Sequence, residues 1–231
     1  MRRVVEIFAR DVAASFPIER PLVELGARAA EGQEGLVSPR TIFGSEGADD
    51  YIGCDIQEGP NVDRVEDIHQ LTFADESVGT ILCLETLEHV ADPIRAVAEM
   101  HRVLKPGGLL AISSVMFFPI HAHPWDYWRF TPEGFSKLLE PFAASVVLAQ
   151  GFDLLPEGVF GVGIKAGPNA PASLDASSLP GLAAACKAWA QHLPVDLGPI
   201  RMNRRTLWGL TLRETRKGLW ARAQRLLGKR R

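Results

Sequence analysis

The stretch from Val78 to Val115, VGTILCLETLEHVADPIRAVAEMHRVLKPGGLLAISSV, constrains the fold more than any other part of the chain. It sets an apolar run, an acidic helical segment, a Lys-Pro-Gly-Gly turn and a second apolar run in succession. Thr80 to Leu84 is short, β-prone and bounded by polar residues, the pattern of a buried strand. Asp92-Pro93 predicts a helix start, with Asp at the N-cap and Pro at the first helical position. From Ile94 onward, apolar side chains recur at Val97, Ala98, Met100, Val103 and Leu104, the spacing of one helical face. Lys105-Pro106-Gly107-Gly108 is expected to stop that helix, and Leu109 to Val115 is the next strand. Strand, helix, turn and strand at this length make one right-handed βαβ unit of a parallel sheet.

Other segments extend this α/β reading. Arg2 to Phe16 has helical spacing at Val5, Phe8, Val12 and Ala13, and is expected to pack on the sheet edge. Pro21 to Gly26 reads as the first strand, ending in an acid and a glycine, and Asp50 to Asp55 as the second, ending in a carboxylate. An acid at such a strand tip can accept hydrogen bonds from both hydroxyls of a ribose. An acid in a plain surface turn is the other reading of Asp55. Ser145 to Ala149 and Val159 to Ala166 form a further pair of strands, and Thr131-Pro132-Glu133 opens another helix.

The Val78–Val115 stretch also carries a resemblance. Leu-Glu-His-Val after a strand, followed by Arg-Val-Leu-Lys-Pro-Gly-Gly-Leu-Leu, resembles the class I S-adenosylmethionine-dependent methyltransferases, in the branch often called type 11. The likeness spans roughly Pro21 to Lys165. It implies a Rossmann-like, seven-stranded, mostly parallel sheet with an antiparallel closing strand, and S-adenosyl-L-methionine as cofactor. By that resemblance Glu24 accepts from the methionine ammonium and Gly26 lets the backbone approach the ligand. Asp55 takes the ribose, Asp67 and the Ile68 amide meet the adenine, the carbonyls around Leu84 face the ammonium, and Glu85 helps orient it. The further glycines usual after Gly26 do not follow, for the sequence continues Ala27-Arg28-Ala29-Ala30-Glu31-Gly32. His89, one helical turn from Glu85, can face the same crevice, though a lone His is more often structural.

The segment after the fifth strand, Phe117 to Phe130, holds the densest functional chemistry in the chain. His121, His123, Asp126 and Tyr127 stand among large aromatics with Arg129 close by. A loop here would cover the methyl donor, exclude water and offer a proton acceptor to an attacking hydroxyl or amine. Lid packing with an Asp126–Arg129 pair is the alternative.

Composition bounds the rest. A chain of 231 residues is long enough for one α/β domain with a full core and a small appendage. The longest uncharged apolar run, Gly108 to Ile120, is too short to cross a bilayer as a helix. Glu6, Arg10 and Asp11 interrupt any signal-like core near the amino terminus, so a cytoplasmic protein is expected. Cys54, Cys83 and Cys186 give neither a disulfide framework nor metal-ligand spacing, and no metal is expected. From Arg201 to Arg231 there are eleven Arg or Lys and one acid, leaving 14 bases and 27 acids before it. Such an asymmetric tail meets something anionic or the acidic body itself.

The domains expected are therefore residues 1–166, the methyltransferase domain, and 167–231, a linker with a C-terminal helical extension. Gly181 to Leu193 and Asn203 to Leu227 are its predicted helices. The expected activity is methyl transfer to an oxygen or nitrogen of a small-molecule or sugar-containing acceptor. A nucleic-acid methyltransferase anchored by the tail and a non-catalytic binding protein remain as alternatives. Peripheral membrane contact through the tail and a homodimer stay open.

Overall fold

The computed structural model describes residues 1–29, 37–44, 50–152, 155–191, 195–197 and 200–202. In chain order the elements are helix α1 (Arg3–Ser15), strand β1 (Leu22–Leu25), short helix α2 (Pro39–Phe43), and strands β2 (Tyr51–Asp55), β3 (Arg64–Val65) and β4 (Val78–Leu84). Helix α3 (Pro93–Val103), strand β5 (Leu104–Val115), helix α4 (Pro132–Leu138), strands β6 (Ala144–Phe152) and β7 (Leu155–Ile164) and helix α5 (Pro180–Gln191) follow. The chain divides into two compact units, Met1–Cys186 and Lys187–Arg231. In the second, β8 (Val195–Leu197) and β9 (Ile200–Met202) form an antiparallel pair.

The first unit is built on a seven-stranded sheet in the order β3-β2-β1-β4-β5-β7-β6. Pairing is parallel from β3 through β5, while β7 runs antiparallel to both β5 and β6. This is the mostly parallel sheet with an antiparallel closing pair that the sequence led us to expect. The strand order reverses between β1 and β4, which opens a crevice at their carboxyl ends.

Each face of the sheet is covered because successive strand residues point to opposite sides. Leu110 and Ile112 of β5 face a core completed by Ala96, Val97, Met100 and Val103 of α3 and by Phe135 and Leu138 of α4. Leu109 and Ala111 face the other core, with Val5, Phe8 and Val12 of α1 and with Leu179 and Leu182. Helix α1 therefore lies over a sheet face, not at the edge. Its buried stripe of Val5, Phe8, Ala9 and Val12 is too broad to be covered by one edge strand. The helix expected from Gly181 also joins this unit: the Leu182 amide donates to Asp11 Oδ2 at 2.8 Å.

Local signals hold where hydrogen bonds can be traced. Asp92 caps α3 by accepting from the Arg95 amide at 3.0 Å, with Pro93 at the first position. The Lys105–Gly108 segment is an excursion within β5, because Val78 pairs with Leu104 and Thr80 with Leu109. Gly107 takes a left-handed φ of +82° there, which a glycine tolerates without a Cβ penalty. The expected helix from Asn203 to Leu227, with its basic flank, lies outside the described residues. Among the described residues no helix is long and apolar enough to cross a membrane.

Candidate active site

A cavity of about 560 Å³ opens at the carboxyl ends of β1, β2 and β4, the position the switch in strand order dictates. Its floor is set by Gly26. The backbone there has φ +82°, and a Cβ would fall 2.1 Å from Thr86 Oγ1, so only glycine fits. Gly26 and Ala27 both donate their amides to the Cys54 carbonyl, at 2.8 and 3.0 Å, which folds the loop after β1 across the tip of β2. Thr86 Oγ1 reaches the Leu84 carbonyl at 3.1 Å and lies 3.3 Å from that of Leu25.

The acids at the strand tips differ in what they have left to offer. Asp55 accepts from the Gln57 amide at 3.0 Å through Oδ1 and from the Arg28 amide at 3.4 Å through Oδ2. A carboxylate has about four lone-pair sites, so each oxygen keeps one for a diol. Glu24 is only 7% exposed and accepts from the Tyr51 hydroxyl at 2.5 Å; burial raises its pKa above the usual carboxylate value. Asp67 accepts from both the amide and Nδ1 of His69, at 2.9 and 2.7 Å, through one oxygen. These bonds hold its pKa below the ordinary value. His69 Nε2 in turn accepts from the Asp92 amide at 3.2 Å, tying this acid to the start of α3. Glu24, Gly26, Asp55, Asp67, Ile68, Leu84 and Glu85 all line the one cavity.

Glu85 has a partner that sequence spacing does not suggest. Its carboxylate receives Arg2 Nε at 2.6 Å and Nη2 at 2.9 Å, so the start of α1 is clasped to the tip of β4. The Glu85 amide donates to the Ser113 carbonyl at 2.9 Å, and φ is +52°.

Glu88, His89 and His121 also line the cavity. Glu88 is 1% exposed, accepts from Ser114 Oγ at 2.6 Å, and is raised by burial to about 7. Its backbone carbonyl accepts from the Tyr127 and Trp128 amides at 2.8 and 3.1 Å. His89 Nδ1 meets the Trp125 carbonyl at 3.0 Å, and burial lowers its pKa. The His89 and His121 rings meet edge to face at 4.7 Å between centroids.

The four residues expected to carry proton chemistry separate. His121 lines the cavity. Asp126 holds Arg129 through both oxygens at 2.7 Å, accepts from the His121 amide at 2.8 Å, and is kept well below the usual carboxylate range chiefly by Arg129. His123 and Tyr127 are exposed on the same loop and are not among the residues lining the cavity. Sequence reasoning missed Arg2 and Glu88. The acidic pair Glu85-x-x-Glu88 was visible, but nothing local distinguishes which member is buried.

The comparisons with known proteins agree with this geometry. A family model described as "Methyltransferase domain" matches residues 29–112. The chain is 31% identical over 179 residues to Methyltransferase GfsG of Streptomyces halstedii, covering 71% of this chain and 58% of the relative. It is 30% identical over 129 residues to a ubiquinone biosynthesis O-methyltransferase of Cereibacter sphaeroides, covering 49% of each. The chain thus spans about half the length of the curated relatives it matches. Among solved structures, the CurJ carbon methyltransferase superposes with a TM-score of 0.51 at 16% identity, over 71% of this chain and 55% of that one. The YcgJ protein from Bacillus subtilis gives 0.50 at 15% identity, over 71% and 99%.

The residues present fit the cofactor of that family. Asp55 keeps acceptor capacity on both oxygens, and it lines the 560 Å³ cavity together with Gly26, Asp67 and Glu85. The family match, the strand order and the crevice at the strand tips together show that this chain carries a methyltransferase domain of the class I, S-adenosylmethionine-dependent family.

Proposed function

We propose that the chain is a catalytically active methyltransferase acting on an oxygen of a small-molecule acceptor. The observation that carries this reading is one cavity lined both by Gly26, Asp55 and Asp67 near the strand tips and by Glu88, His89, His121 and Phe118 from the segments after β4 and β5. In this reading Asp55 accepts the ribose hydroxyls, Asp67 and the Ile68 amide meet the adenine, and the β4 tip faces the methionine portion. The cofactor, when bound, supplies a methyl group on a positively charged sulfur. The chain's task is then to align an acceptor and exclude water, and alignment alone is worth orders of magnitude in rate. Phe118 and His121 line the part of the cavity assigned to the acceptor. His121 can accept a hydrogen bond from the acceptor hydroxyl, while Asp126 fixes the loop that carries it. His123 and Tyr127, on the exposed side of that loop, are assigned to acceptor entry.

The choice of oxygen is supported by the Cereibacter relative, which is named an O-methyltransferase. Calorimetry of the full chain with S-adenosylmethionine tests the cofactor half of this reading, with one site per chain expected. Turnover with a panel of hydroxylated aromatic and sugar-bearing acceptors tests the other half. A folded chain with no affinity for the cofactor would overturn both.

A further inference from the structure

Glu88, His89 and His121 bring three ligand atoms together in the part of the cavity assigned to the acceptor. One carboxylate oxygen and one nitrogen from each ring lie within 4.8 Å of one another. Each group is fixed from behind. Ser114 Oγ donates to Glu88 Oε2 at 2.6 Å. His89 Nδ1 lies 3.0 Å from the Trp125 carbonyl, and His121 Nδ1 lies 3.2 Å from both the Pro119 carbonyl and Asp126 Oδ2. These oxygens can only accept, so both Nδ1 atoms carry the hydrogen and each Nε2 keeps its lone pair. Among the described residues no hydrogen bond joins the three side chains to one another. A carboxyl group and two imidazoles therefore converge with no hydrogen bond joining them, which is an arrangement a positive centre completes.

We propose that Glu88, His89 and His121 bind one divalent first-row transition-metal ion in that part of the cavity. Two imidazoles and one carboxylate are the donor set that suits zinc, iron, cobalt or nickel better than magnesium. The contacts behind the ligands match the rule that a metal-bound His donates its other N–H to a carbonyl or carboxylate. Glu85 is not a fourth ligand, because Arg2 occupies its carboxylate. Three protein ligands leave positions open toward the cavity for an acceptor oxygen. This deepens the proposed function, since an acceptor hydroxyl bound there would lose its proton to solvent more readily. Its oxygen would then bond to the methyl carbon as the carbon–sulfur bond breaks, releasing a neutral thioether. His121 cannot use one lone pair both for the ion and for the acceptor's proton, so the ion takes over that role.

The test uses the untagged full chain stripped with EDTA, titrated with Zn²⁺ and Mg²⁺ by calorimetry and with Co²⁺ by visible absorption. One Zn²⁺ per chain is expected, Mg²⁺ binding much more weakly. His89→Gln and His121→Ala should each weaken Zn²⁺ at least about tenfold, while S-adenosylmethionine affinity stays within about threefold as a control for folding. No stoichiometric Zn²⁺ binding by the parent, or equal Zn²⁺ binding by both variants, would overturn the site. Cofactor binding is read separately, so a chain that binds Zn²⁺ but not the cofactor refutes the proposed function and keeps the metal site.

Discussion

Asp55 and Glu24 sit on neighbouring strands, end in the same group, and face opposite electrostatic situations. Asp55 has two weakly bonded oxygens at the cavity wall. Asp55→Ala should weaken S-adenosylmethionine by about 1.5–3 kcal/mol, the range for a hydrogen bond to a charged group; calorimetry on the folded variant measures it. Glu24 is buried against Tyr51, and desolvation raises its pKa above 4.5. Above pH 4.5 the folded state then binds more protons than the unfolded state, so stability falls as pH rises through the folded pKa. Glu24→Gln keeps an acceptor for Tyr51 and abolishes that titration. Urea unfolding at pH 5 and pH 8 should show the variant gaining on the parent at the higher pH. A gap that does not widen would refute the buried, raised carboxyl. These assignments mark the limit of reading residues from sequence. The strand-tip positions of Glu24, Gly26 and Asp55 were legible, because an apolar run followed by an acid or glycine is a local signal. The Arg2–Glu85 clasp was not, since its partners are 83 positions apart.

At the scale of elements, the βαβ unit from Val78 to Val115 was legible because each of its boundaries has a local cause. Asp92 and Pro93 start the helix, and Val97, Met100 and Val103 of the expected stripe are buried, whereas Ile94 and Ala98 are exposed and Ala96 takes a buried place instead. The immediate passage from α3 into β5 was less legible: Lys105–Gly108 looks like a turn in sequence, and only cross-strand pairing makes it an excursion within a strand. The loop from Met116 to Thr131 could be read for its chemistry but not for its attachments. Trp128 Nε1 donates to the Val90 carbonyl at 2.8 Å, a contact made across 38 positions. Trp128→Phe keeps an aromatic ring, smaller than the indole, and removes that bond. It should lower loop stability by about 0.5–1.5 kcal/mol and weaken acceptor binding, with cofactor affinity unchanged. A loss of cofactor affinity instead would mean that the loop shapes the cofactor's part of the cavity.

On the scale of the whole molecule, every described cavity-lining residue belongs to the unit Met1–Cys186. A chain ending at Gln191, which retains α5, should unfold in one transition and bind S-adenosylmethionine as tightly as the full chain. Reduced affinity in the shorter chain would show that residues 192–231 act on the site. The tie between the aromatic loop and the strand tips has a further consequence. The Tyr127 and Trp128 amides end on the Glu88 carbonyl, Phe130 on Val115, Met116 on Glu157 and Phe117 on Pro156. None of these amides can be released alone without straining its neighbours, so the loop should open as one unit. In deuterium exchange its amides should therefore share a single opening free energy and be slowed together when a ligand fills the cavity beside Glu88. Independent exchange rates at Met116, Tyr127 and Phe130 would show that the five bonds do not act in concert. Concerted exchange would turn the loop's amide protection into a label-free gauge of cavity occupancy, usable before any acceptor is known.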